Sequence, residues 1–239
     1  MKKYPLSVHL SELKKRILYT LVSGLFFFCL GLFQTAFLYD VLTRPLVGLN
    51  FAPSSLLMTS LSGGFSLSLR LAFLVSVMGG MPVLIYQIWR YILPALKKKE
   101  IPFFRLSFLF SPVLFALGAL LAYFFIAPLA WDFLLSFYTL FQQAELPAQM
   151  LPQVDEYLNL MISFMVAFGF SFQLPLLLIL LIKWGLVSVD LLRKKRRQVI
   201  VFIFIVAAVL TPPDVLSQIL LAVPLIILYE VAIFFGRKM

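Results

Sequence analysis

Gly79-Gly-Met-Pro-Val-Leu-Ile-Tyr-Gln-Ile-Trp89-Arg-Tyr-Ile-Leu-Pro-Ala-Leu-Lys-Lys-Lys-Glu100 is an apolar helical stretch with a proline inside it, ending in three lysines and one carboxylate. It reads as a helix leaving a membrane. Trp89, Arg90 and Tyr91 stand where an interfacial anchor belongs, Pro94 breaks the exit, and Lys97, Lys98 and Lys99 set which side of the bilayer this end faces. Glu100 is the anomaly, one of few acids on a strongly basic face.

The rest of the chain has the same character. Of 239 residues, 62% are hydrophobic and 13% charged, with a mean hydropathy of +1.03, where a soluble domain is about half apolar. This is the composition of an integral membrane protein. A net charge of +10 would point to nucleic acid in a soluble chain. Here the cations fall in short runs between long apolar segments, so nucleic acid is not expected as a partner and the lipid bilayer is. Cys29 is the only cysteine, which leaves no intramolecular disulfide and no cysteine cluster for a metal.

Six apolar spans are expected, at about 17–36, 71–89, 106–130, 157–182, 199–210 and 216–235, forming a single membrane domain over 1–239. The first follows a short basic segment like a secretory signal, but its apolar run is too long and lacks an Ala-x-Ala site, so it reads as a retained span. Residues 37–70 read as an outer loop turned by Pro45, with 51–69 lying along the interface. The run 199–210 covers roughly 18 Å as a helix, short of a hydrocarbon core of about 30 Å, so this end of the bundle is expected to be short or shielded. Placing segments 1–16, 90–105, 183–198 and 236–239 on one side collects 18 of the 20 lysines and arginines, leaving Arg44 and Arg70 opposite. Both termini are therefore expected in the cytoplasm. A re-entrant pair formed by the last two runs would satisfy the same count. Pro82, Pro112, Pro128, Pro175 and Pro224 recur in or at the ends of the spans and favour an all-α, curved, open bundle.

Reactive chemistry is sparse. There is no Gly-x-x-x-x-Gly-Lys-[Ser/Thr] run for a nucleotide motor and no His-Glu-x-x-His, and His9 is the single histidine. The serines in the spans lack a histidine or lysine partner and read as helix-packing residues, so neither an enzyme, a cofactor nor a metal is expected. Carboxylates and amides remain. In His9-Leu-Ser-Glu-Leu-Lys-Lys-Arg16, Leu10, Leu13 and Ile17 recur at helical spacing while Glu12 points elsewhere. Glu12 can pair with Arg16 at i,i+4, and Glu100 with Lys97 at i,i+3, for about 0.2–0.5 kcal/mol each; taken alone these pairs are the favoured reading, over receipt of a guanidinium from outside. Gln173 falls inside the fourth span, where an amide needs a partner helix or water.

Read together, these pieces resemble the TatC family, the polytopic subunit of the twin-arginine protein translocase. The resemblance rests on His9-Leu-Ser-Glu-Leu-Lys-Lys-Arg16, Pro82-Val-Leu-Ile-Tyr-Gln-Ile-Trp89, Pro94-Ala-Leu96 followed by Glu100, Leu117-Gly118 with Ala122-Tyr-Phe124, Ala167-Phe-Gly169, Phe172-Gln-Leu-Pro175, Leu192-Arg-Lys-Lys-Arg196 and Leu210-Thr-Pro-Pro-Asp-Val215. It implies binding of Arg-Arg signal peptides of folded precursors, with Glu12, Glu100 and Arg16 at the binding site. It also implies assembly with TatA- and TatB-type partners and further copies of the chain, driven by the proton-motive force, in a bacterial cytoplasmic or an organellar membrane. Gln173 and Pro175 would make a contact to a partner or an intramembrane polar contact within the bundle. Pro45, Pro82, Pro94 and Asp214 would be structural or outer-loop positions; by themselves Pro45 reads as a turn and Asp214 as a helix cap. Two positions depart from the family pattern. Gln173 stands where glutamate is common, and Lys14 where arginine is usual. A solute carrier would need ionisable groups near the midplane, and a purely structural scaffold would leave Glu12 and Glu100 dispensable.

Overall fold

The computed structural model describes residues 6–47, 56–58, 60–92, 101–142, 153–210 and 215–237. Glu100, Pro94, Lys97, Lys98, Lys99 and Asp214 lie outside them. The described residues are almost wholly helical. The order is α1 (Leu6–Phe33), α2 (Thr35–Val47), α3 (Gly63–Ile92), α4 (Ile101–Leu121), a π-helical turn (Ala122–Ile126), α5 (Ala127–Gln142), α6 (Val154–Ser171), α7 (Leu174–Lys183), α8 (Val189–Lys194), α9 (Arg196–Leu210) and α10 (Val215–Gly236).

Among the described residues, five helical stretches are long and apolar enough to cross a membrane: Leu10–Phe33, Gly63–Tyr91, Phe104–Ser136, Val154–Lys183 and Val215–Gly236. The chain is a multi-pass membrane protein. Its outside is as greasy as its inside, as lipid-facing helices require: Leu18, Val22 and Phe26 on α1 and Leu109, Val113 and Leu117 on α4 are all exposed. Of the two helices expected to be short or shielded, α9 has 15 residues, about 22 Å, whereas α10 has 22, about 33 Å, and buries Leu221, Ala222, Leu225 and Tyr229 against its neighbours.

The described part of the expected outer loop is largely helix. Pro45 does not make a turn but lies inside α2, and 63–69, the end of the segment expected along the interface, belongs to α3, which begins at Gly63. Leu67 and Leu71 are buried there. Ser68, which interrupts the apolar run, returns its hydroxyl to the Gly64 carbonyl at 2.8 Å, so the helix carries it without an open donor. Helical assignment also runs straight through Pro82, Pro112 and Pro224. The helical ladder changes elsewhere: at Gln34, at the π turn, at Phe172-Gln173 and at Lys195. Pro175 explains one of these. Without an amide proton it cannot continue the hydrogen bonding of α6, but it opens α7 at no such cost.

Packing follows small residues. Helix α1 lies along α3, where Gly31 faces Ala72 so closely that a Cβ would come within 2.7 Å of its Cα, and the Ser76 hydroxyl donates to the Gly24 carbonyl at 2.8 Å. Helix α4 meets α6 in the same way, Gly118 lying against the Phe168 backbone. The centre is filled by Phe115, Tyr157, Met161, Phe164 and Phe168, all fully enclosed. Helix α10 closes the bundle against α7 and α9. These contacts leave two polar clusters at opposite ends and one amide between them.

Candidate functional site

Glu12 sits on the first turns of α1 and pairs with Arg16 one turn on. This order, acid before base, also suits the helix dipole. The described contact uses one carboxylate oxygen, Oε1, while a carboxylate has lone pairs for about four donors. Arg16 is the more enclosed partner, 14% exposed against 35% for Glu12. Its second terminal nitrogen donates to Gln87 Oε1 on α3 at 3.4 Å, and its Nε is buried without a partner. A groove of about 220 Å³ runs beside it, walled by Leu13, Ile17, Leu84, Ile88 and Tyr91. Thus one face offers a carboxylate to solvent next to an apolar channel. An incoming cation attached to an apolar chain fits both. Arg90 leaves this end over the Tyr86 ring, 5.9 Å from its centroid, and Trp89 stacks on Phe108 at 5.4 Å. Glu100, expected beside Glu12, belongs to the undescribed connection between α3 and α4.

Gln173 stands at the break between α6 and α7 and is fully engaged. The Ser111 hydroxyl donates to its Oε1, and its Nε2 donates to the Ser111 carbonyl at 3.0 Å. One residue of α4 thereby meets both faces of the amide. Only an amide does this without a proton change, since a carboxylate has no donor for the carbonyl. Beside the pair lies an apolar cavity of about 320 Å³, lined by Trp89, Phe104, Ser107, Phe108 and Trp184 together with Gln173.

The basic run from Arg193 to Arg197 is divided between α8 and α9. Ser188 caps α8 by accepting from the Leu191 amide at 3.2 Å, and Arg193 lies 3.9 Å from Asp190. Arg196 opens α9 and reaches Glu230 on α10 at 2.6 Å, while the Tyr229 hydroxyl donates to the Leu192 carbonyl at 2.8 Å. Because Arg196 and Glu230 are both about two-fifths exposed, water screens them, and their pairing contributes roughly 0.2–1 kcal/mol. Glu230→Gln should therefore lower the thermal midpoint of the purified chain by less than about 4 °C, as read by a melt in detergent. At the opposite end Arg70 faces Asp155 at 3.6 Å.

The structure thus brings Glu12 and Arg16 together, adds Gln87, and separates them from Gln173. Sequence reasoning missed Gln87 and Ser111. Gln87 carried a signal, being a lone amide two residues before Trp89 in an apolar helix. Ser111 had none beyond its place among packing serines. Among the described residues no group of three His, Cys, Asp or Glu side chains is placed to hold a metal ion.

The comparisons with known proteins agree over nearly the whole length. The family model described as Sec-independent protein translocase protein (TatC) matches residues 8–224. The Sec-independent protein translocase protein TatC of Magnetococcus marinus is 39% identical over 237 residues, covering 99% of this chain and 85% of that protein. Its counterpart in Escherichia coli K12 is 37% identical over 98% of this chain and 88% of that one. A crystal structure of the twin-arginine translocase receptor TatC superposes with a TM-score of 0.86 at 33% identity, covering 96% of this chain and 98% of that one. With the family model matched over residues 8–224 and the solved fold over 96% of the chain, the chain belongs to the TatC family.

Proposed function

We propose that this chain is the signal-receiving subunit of a twin-arginine translocase, binding the Arg-Arg signal peptides of folded precursors at its cationic, cytoplasmic end. The observation that carries the reading is the half-exposed Glu12 carboxylate beside the apolar α1–α3 groove. The two arginines of a signal would go to Glu12 and Glu100, and its apolar segment to the groove. A charge-assisted arginine contact contributes about 1.5–3 kcal/mol, so two give roughly 3–6. Ordering a flexible peptide costs a comparable amount, about 2–5 kcal/mol. Carboxylates therefore select, and burial of the apolar segment holds. Arg16 holds Glu12 in place while its tie to Gln87 fixes α1 on α3.

The chain works as one membrane domain, a transport component rather than an enzyme, in the cytoplasmic membrane of a bacterium. It assembles with TatA- and TatB-type single-span subunits and with further copies of itself, and the proton-motive force drives export. Pro82 lies inside the helix that carries Gln87. Gln173 and Pro175 shape the surface offered to a partner helix. The neutral amide pairing at Gln173 speaks against a proton-coupled carrier, which needs an ionisable group at that depth.

Photocrosslinking from position 12 and from position 100 to a signal peptide in membranes tests the reading. Crosslinks to an Arg-Arg peptide, lost with a Lys-Lys peptide and lost at one position when the other carboxylate is replaced, are the expected result. An ammonium cannot make the planar two-point contact. Equal crosslinking of both peptides would overturn it and return Glu12 and Glu100 to a scaffold.

A further inference from the structure

Pro45 sits inside α2, where the helical ladder would have residue 45 donate to the carbonyl of Val41. Proline has no such proton, and a carbonyl left without a donor away from water costs free energy. That acceptor is not left open. The Tyr123 hydroxyl donates to the Val41 carbonyl at 2.6 Å, and the next carbonyl, Leu42, accepts from the Tyr157 hydroxyl at 2.8 Å. The two tyrosines come from different helices. Tyr123 belongs to the π turn between α4 and α5, and Tyr157 to the first turns of α6. Tyr157 is 2% exposed, as are its apolar surroundings Leu42 and Leu46 at 3% and 6%, and Trp131 covers its ring at 4.7 Å.

We propose that Pro45 makes a docking acceptor of the Val41 carbonyl, so that α2 is bolted by Tyr123 and Tyr157 across α4–α5 and α6 as a two-tyrosine clasp at the end of the bundle opposite Glu12. Two features of the chain that are otherwise unrelated acquire one cause. A proline in a helix interior is tolerated because a hydroxyl from another helix replaces the missing amide. The π turn, an uncommon conformation found mostly as a local bulge, occurs where the tyrosine that supplies that hydroxyl leaves its helix. Tyr157 differs in one respect that can be tested. Its acceptor, Leu42, retains a helical donor in Leu46 whichever residue stands at 45, so only Tyr123 is coupled to the proline.

The test is a double-mutant cycle on the full chain in detergent, read as the thermal midpoint. Tyr123→Phe in the native background should lower the midpoint by about 2–6 °C, the loss of one hydrogen bond in a chain of this size. In a Pro45→Ala background the new amide takes the Val41 carbonyl, and Tyr123→Phe should lower the midpoint by less than half as much. Tyr157→Phe should cost the same in both backgrounds. Equal costs of Tyr123→Phe in the two backgrounds would overturn the proposal, as would an equal relief of both tyrosine substitutions by Pro45→Ala. Where Tyr123→Phe alone does not accumulate as folded protein, Pro45→Ala should restore it, and failure to restore is the opposing result. Crosslinking of an Arg-Arg peptide at position 12 should persist in the Pro45→Ala, Tyr123→Phe chain, because the clasp lies at the far end of the bundle.

Discussion

Replacing Glu12 by Gln should lower the affinity of the membrane-embedded chain for an Arg-Arg signal peptide by about ten- to a hundredfold, measured by titrating a fluorescent peptide into proteoliposomes. The substitution keeps size and one acceptor oxygen but removes the charge, so it forfeits most of a charge-assisted contact of about 1.5–3 kcal/mol. It also leaves the Arg16 guanidinium, which is 14% exposed, with Gln87 as its remaining described partner. The free arginine then repels an incoming one. Arg16→Lys separates these contributions. An ammonium is a point charge that cannot hold Glu12 and Gln87 with a fixed fork, so α1 loosens on α3 while the carboxylate remains, and peptide affinity should fall less than with Glu12→Gln. The reverse order would place recognition on the α1–α3 contact instead of on the carboxylate.

The other large effect is expected at the amide. Gln173→Leu should destabilise the chain by about 2–4 kcal/mol, because both bonds to Ser111 vanish and a hydroxyl and a carbonyl lose partners in an apolar setting. A thermal melt in detergent should show a midpoint lower by roughly 5–15 °C. Ser111→Ala removes the hydroxyl but keeps the backbone acceptor for Nε2, so it should cost about half as much. Combining the two substitutions should cost clearly less than their sum. Strict additivity, which marks independent sites, would show that the two residues do not act as a unit.

How much of this was readable beforehand depends on the range of each interaction. Spans are local properties of composition, so the membrane class and the helices through Trp89, Gly118 and Tyr229 follow from the chain read in order. The Glu12–Arg16 pair is likewise local, one helical turn apart. Helix α2 was not legible, because a proline in an otherwise helical pattern reads as a turn unless the tyrosine that compensates it is known, and Tyr123 is 78 residues downstream of Pro45. The same holds for Gln173 and Ser111, separated by 62 positions, and for Arg196 and Glu230, separated by 34. In each case the sequence shows one half of a pair on one helix. Which helix carries the other half is decided by the small-residue contacts, such as Gly31 on Ala72 and Gly118 on Phe168, whose partners composition does not name.

The brevity of α9 has a consequence for company rather than for the chain alone. Its 15 residues reach about 22 Å, some 8 Å less than the usual hydrocarbon thickness, and each ångström of mismatch costs a fraction of a kcal/mol in deformed lipid. That deformation is shared when a second short helix lies alongside, since the two then border one dimple instead of two. Were α9 to lie across the bilayer, the face with Val201, Phe202, Ile205 and Val209, exposed on this helix, would border that dimple. Lengthening α9 would then relieve the deformed lipid even with every side chain of that face retained.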